Sequence, residues 1–178
     1  MYDFYFEENS VADLLGAIIA SGVVVTGWYQ TKRYESKKKK KEEQLNYVLK
    51  QIEEFYGPLF NLTTQVIHLG AVKNKLAIPP PRQDVEDFFD EFYFTNLHRE
   101  ILKILKTKYH LIKGEVPKGL LEEYMDYSLM YLSQKEMFIK KGIKTHGIVN
   151  TGNDHNFNAF INQGLKRAIN RRDELLNK

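Results

Sequence analysis

Between Asp13 and Lys32 the chain reads LLGAIIASGVVVTGWYQT, eighteen residues without a charge. As a helix rising about 1.5 Å per residue, this stretch is roughly 27 Å long, close to the roughly 30 Å hydrocarbon thickness of a bilayer. The pattern predicts a single transmembrane span from Leu14 to Thr31. A buried core helix would be as apolar, but it would rarely be followed by five consecutive lysines, Lys37 to Lys41. A cleaved leader needs a basic start, whereas Asp3, Glu7, Glu8 and Asp13 lie here. An interfacial helix would show a charged face, which the stretch lacks.

Past the lysines the apolar positions change to a helical period. Leu45, Val48, Leu49, Ile52, Phe55 and Tyr56 recur at three- and four-residue steps. They predict a rod continuing from the membrane exit, which Gly57-Pro58 should kink or interrupt. Leu59, Leu62, Val66, Ile67 and Leu69 predict a second helical piece, ending near Gly70 or running to about Ile78. Pro79-Pro80-Pro81 is a break. Asp84 is placed to cap the next helix, expected from about Gln83 to Ile112 on Val85, Phe88, Phe89, Phe92, Leu97, Ile101, Ile104, Leu105 and Tyr109. A loop with Gly114, Pro117 and Gly119 leads to a helix over Leu120 to Ile139. A polar loop from Gly142 precedes a last helix capped by Asp154, with Phe157, Phe160, Ile161, Leu165, Ile169 and Leu176. No segment alternates with period two, so a sheet is not expected. The fold class is all-α: an N-terminal tail and transmembrane anchor over residues 1–34, then a cytosolic bundle of four or five helices over 35–178.

Charge sets the orientation. The net charge of +3 is concentrated just after the span, at Lys32, Arg33 and Lys37, Lys38, Lys39, Lys40 and Lys41. That excess predicts an inner- or plasma-membrane protein with its N-terminus outside and its C-terminal body in the cytosol. The five lysines would attract anionic lipid at about 1 kcal/mol each. Trp28, Tyr29 and Tyr34 suit an aromatic belt at the inner face, and Tyr2, Phe4, Tyr5 and Phe6 one at the outer face. Direct nucleic-acid binding is compatible with the charge but not required by it. The absence of cysteine excludes disulfides and thiolate metal sites.

Within the span, Gly16 and Ala20, Ala17 and Ser21, and Gly22 and Thr26 are small residues four apart. Lipid tails are as apolar as leucine, so membrane helices associate through close backbone approach at such ridges. Gly16, Ala20, Ser21, Gly22 and Thr26 are therefore the expected homo-oligomerisation positions. The aromatic run Phe88, Phe89, Phe92, Tyr93 and Phe94 exceeds what one helix face buries, and some of these rings are expected to meet another subunit.

Catalytic signatures such as a phosphate loop, HExxH or GxSxG are missing. The five histidines do not pair on a helical turn, so neither a metal nor a cofactor is expected. His68 and His98 fall in apolar helical patterns and are expected as hydrogen-bonded core or interface residues. The most suggestive polar group is His146, Asn150, Thr151, Asn153, Asp154 and His155 with Arg167, Asn170, Arg171 and Arg172 on the last helix. A histidine moving a proton at a 2′-hydroxyl and an arginine steadying phosphate charge is the chemistry of metal-free RNA cleavage, with His155, Arg167 and Arg171 as candidates. The competing reading is a solvated helix face beside an asparagine-rich turn.

A short acidic and aromatic N-terminus, one span, a lysine-rich exit and a helical body of this length together resemble the small membrane accessory proteins of type VI-B CRISPR systems. The resemblance is architectural and covers the whole chain. It implies a divergent HEPN-like helical domain, assembly into a ring-shaped pore, and a functional partnership with an RNA-guided RNA-cleaving nuclease in antiphage defence. HEPN ribonucleases place an arginine four to six residues before a histidine on a late helix. Here no histidine follows Arg167, Arg171 or Arg172, and the spacings Asn150 to His155 and Lys141 to His146 lack the arginine. The first expectation is thus a non-enzymatic, self-assembling membrane protein, a pore or depolarising effector. A membrane-tethered ribonuclease and a membrane-anchored adaptor are the alternatives.

Overall fold

The computed structural model describes residues 8–76, 83–112, 116–117, 119–142 and 153–177, with 8–14, 83, 139 and 153–155 described in backbone only. All regular structure among them is helical. Helix α1 spans Glu8–Lys50, followed by a π turn at Gln51–Tyr56 and α2 at Gly57–Leu76. Then come α3 (Gln83–Phe89), a second π turn (Asp90–Phe94), α4 (Thr95–Lys108) and a 3-10 turn (Tyr109–Ile112). Helices α5 (Leu120–Lys141) and α6 (Asn153–Leu176) complete the chain. The chain divides into two units, Met1–Gln44 and Leu45–Lys178, later than the 34/35 boundary expected from the end of the apolar run. The physical reason is that Lys37 to Lys40 are exposed, and among the described residues the first buried side chain is Val48.

The Gly57-Pro58 step does not end the helix. Proline lacks an N–H and its ring collides with the carbonyl four residues earlier, so a regular α-helix would be forced to break there. The preceding turn widens instead, and the Gly57 N–H bonds the Ile52 carbonyl five residues back. Glycine is required, because a Cβ at position 57 would lie 2.6 Å from that oxygen. The extra residue shifts the helix phase by about 100°. Adjacent rings Phe55 and Tyr56 are consequently both fully buried. The same device recurs at Asp90–Phe94, where the Thr95 N–H bonds the Asp90 carbonyl. It divides the helix expected over 83–112 and turns both Phe94 and Thr95 inward.

The main core of the second unit joins Val48, Phe55, Tyr56, Leu59, Ile101, Leu105, Ile112, Tyr124, Phe157 and Ile161. Tyr124 of α5 stacks on Phe157 of α6 with ring centroids 3.8 Å apart. Helix α6 rides directly over the first π turn, since a Cβ added at Gly164 would sit 2.1 Å from the Tyr56 ring. Thr63 of α2 donates a 2.8 Å hydrogen bond to the Asn158 side chain, which draws that face of α6 inward. A smaller cluster gathers Phe89, Phe94, Leu102, Tyr131 and Leu132.

Helix ends follow local chemistry. Gly119 (φ 87°) precedes α5 and Gly142 (φ 64°) closes it, its N–H bonding the Phe138 carbonyl. Asp84 and Asp154 lie inside the first turns of α3 and α6, which begin one residue earlier than the caps expected from sequence. The break at Pro79-Pro80-Pro81, Gly114, and the polar loop after Gly142, with His146, Asn150 and Thr151, lie outside the described residues.

Candidate functional site

The uncharged run supplies the most unusual surface of the chain. Its large side chains Leu15, Ile18, Ile19, Val23, Val24, Val25, Trp28 and Tyr29 are all exposed, from 54 % at Leu15 to 69 % at Val24. Around Gly16, Gly22 and Gly27 the space is open, with nothing within 4 Å of a Cβ added at any of them. Polar side chains in the run are satisfied within their own helix. Ser21 donates to the Ala17 carbonyl at 2.7 Å, Thr26 to Gly22 at 2.8 Å and Thr31 to Gly27 at 3.0 Å. Such back-bonding leaves no hydroxyl hydrogen needing water. At the basic end, Lys32 Nζ lies 4.7 Å from the Trp28 ring centroid. Among the described residues, no helix is long and apolar enough to cross a membrane. Glycines, Ser21, Thr26 and the Trp28-Tyr29-Gln30 end dilute the apolarity of the part that begins at Leu15.

The three ribonuclease candidates all lie on α6. His155 is in its first turn, and Arg167 follows twelve residues later, so the two backbones are separated by about 18 Å along the axis. A single chain does not bring His155 to either arginine through this helix. Arg167 and Arg171, one turn apart, are both exposed and border one cavity together with Gln51 and Ala168.

A buried polar cluster that the sequence reading did not single out ties the second π turn to α5. Tyr131 donates a 2.6 Å hydrogen bond to Asp90 Oδ1, and Lys135 forms an ion pair with Asp90 Oδ2. Thr95 donates to the Asp90 carbonyl at 2.6 Å. Burial, then the bond to the Asp90 carboxylate, pushes the Tyr131 hydroxyl far above its ordinary range. Next to it His98 is buried, with Nδ1 3.3 Å from Ser128 Oγ and its ring 4.9 Å from that of Tyr131. Burial lowers the His98 pKa to about 4, against a smaller opposing pull from Asp90, so the imidazole is neutral at pH 7. His98 is a hydrogen-bonded core histidine, as its apolar surroundings predicted. His68, by contrast, stands on the exposed face of α2. The signal missed in the sequence is a five-residue step: Asp90 to Thr95 follows the π period, so a helical wheel of 3.6 residues separates groups that the fold joins.

The surface ion pairs have their own consequences. Lys108 bonds Glu54 and holds its carboxyl below the usual range, and Arg99 does the same for Glu136 at 2.9 Å. Of the aromatic run, Phe89 and Phe94 are buried, while Phe88, Phe92 and Tyr93 are exposed. Phe88 packs against Phe92 at 4.9 Å and against Tyr93 at 5.9 Å between centroids. Compared with protein-family models, curated proteins and solved structures, the chain matches none.

Proposed function

We propose that the protein is a self-assembling membrane protein, a pore or depolarising effector, working alongside an RNA-guided RNA-targeting nuclease in antiphage defence. The observation that carries this reading is the uncharged surface from Leu15 to Tyr29, whose large apolar side chains are all exposed among the described residues. Contiguous apolar surface of this kind calls for lipid or another protein. Its modest apolarity supports an assembled helix over a solitary one. At about 100° per residue, Gly16, Ala20 and Gly27 fall within roughly 40° of one face, so copies would cover the small side while Ile18, Ile19 and Val25 meet lipid. The internally bonded hydroxyls suit a medium without water. Lys37 to Lys41 then hold the second unit on the cytosolic side by their attraction to anionic headgroups. The link to the nuclease comes from the architectural resemblance.

The test is the mass of the detergent-solubilised full chain together with membrane potential in expressing bacteria. An oligomer and a fall in potential under an activating signal are expected, and Ala20→Leu, on the small face, should weaken both. A monomer with unchanged potential, in wild type and variant alike, overturns the reading.

A further inference from the structure

The cavity beside α6 carries an inference independent of the membrane reading. It has a volume of about 360 Å³ and is lined by Gln51, Arg167, Ala168 and Arg171. Its construction begins with the close approach of α6 to the first π turn, where Gly164 lies against the Tyr56 ring. One turn on, Ala168 is again small and is buried. The two arginines flank it at positions four apart, so their guanidinium groups border the same hollow. Gln51 is fixed on the other wall: it is 2 % exposed and its Nε2 donates a 2.6 Å bond to the Leu111 carbonyl.

Charge bookkeeping at this end of α6 is uneven. Arg172 is engaged by Asp173 through Nε at 2.9 Å and Nη2 at 2.7 Å. Among the described residues, Arg167 and Arg171 have no carboxylate partner. Two unpaired guanidinium groups at a concave surface form an anion trap, and each presents the planar fork that matches phosphate oxygens. A phosphomonoester carries about −1.5 to −2 charges at neutral pH and matches their summed charge. The cavity is at the small end of the roughly 300–1,000 Å³ range of ligand sites. A nucleic-acid strand would instead require a track of cations and stacking rings along its backbone. We propose that Arg167 and Arg171, against Gln51 and Ala168, bind the terminal phosphate of a phosphomonoester, either a free mononucleotide-like molecule or a lipid headgroup such as phosphatidic acid.

The test uses the full chain in detergent micelles, titrated with adenosine 5′-monophosphate and, separately, with micelles doped with phosphatidic acid. Saturable binding of one, with no binding of adenosine, is expected, and which of the two binds identifies the source of the phosphate. Arg167→Gln and Arg171→Gln should each weaken it by about tenfold or more, and Arg171→Lys by less, because the charge stays while the fork is lost. Ala168→Leu fills the cavity without altering charge. With its helical circular dichroism unchanged, it should also abolish binding. Equal affinity in wild type and the Arg167→Gln/Arg171→Gln double variant overturns the proposal. So does the absence of saturation by either probe below about 10 mM. Binding of an oligoribonucleotide alone, with a steep salt dependence, overturns it in favour of a polymer track.

Discussion

The π turn at Gln51–Tyr56 and the π turn at Asp90–Phe94 each insert one residue into a helix and turn neighbouring side chains inward. The first is filled by rings: Phe55 and Tyr56 meet edge to face at 5.1 Å, and α6 closes over them at Gly164. The second is held by polar groups, with the Asp90 carboxylate shared between Tyr131 and Lys135, and His98 neutral beside them. One backbone irregularity therefore serves two kinds of packing. The first should respond to volume and ignore pH, whereas the second should respond to charge.

The largest effect is expected at the first turn. Tyr56→Ala removes a fully buried ring and should cost about 3–5 kcal/mol in urea unfolding of the full chain, by the same amount at pH 7 and pH 5. Equal losses at both pH values would separate this turn from its counterpart, and a pH-dependent loss would merge them. Next comes acid. His98 has a depressed pKa in the folded state, so between pH 6.5 and about 4 the unfolded chain binds a proton that the folded chain refuses. Stability should fall by on the order of 3 kcal/mol across that window, and His98→Gln should flatten the fall. Gly164→Ala forces a methyl group onto the Tyr56 ring and should cost about 1–3 kcal/mol, visible as a lower unfolding midpoint with unchanged slope. Asp90→Asn keeps an acceptor for Tyr131 but leaves Lys135 without its counter-charge. A loss of about 1–2 kcal/mol is expected, and a neutral outcome would mean that the second turn is held by packing alone. Smallest of all is Glu54→Gln, which removes the exposed pair with Lys108. Its midpoint should stay within experimental scatter and become indistinguishable from wild type in high salt.

What the sequence made legible, and what it hid, follows the same division. The helical body was readable because core positions such as Ile101 and Leu105, or Phe157 and Ile161, recur about one turn apart on their helices. Pro58 marked the place where the regular α-helix is interrupted, but not the form of the interruption, one wider turn that absorbs the proline when glycine precedes it. Once such a turn intervenes, phases on either side are no longer continuous. Asp90, Thr95 and Tyr131 therefore looked unrelated, and Ile67 and His68 were expected on a face that the fold leaves exposed. The pairing of Arg167 with Arg171 was visible as an i, i+4 step, but Gln51 lies more than a hundred residues upstream and only the docking of α6 brings it to them. Distance along one straight helix, rather than any missing residue type, parts His155 from both arginines.

The bonds from Ser21, Thr26 and Thr31 back to carbonyls of their own helix have a consequence for whatever packs against it. With their hydrogens spent, the three oxygens offer lone pairs alone. Five residues apart, they fall on three different faces of α1, so a neighbour on any of those sides meets an acceptor and no donor.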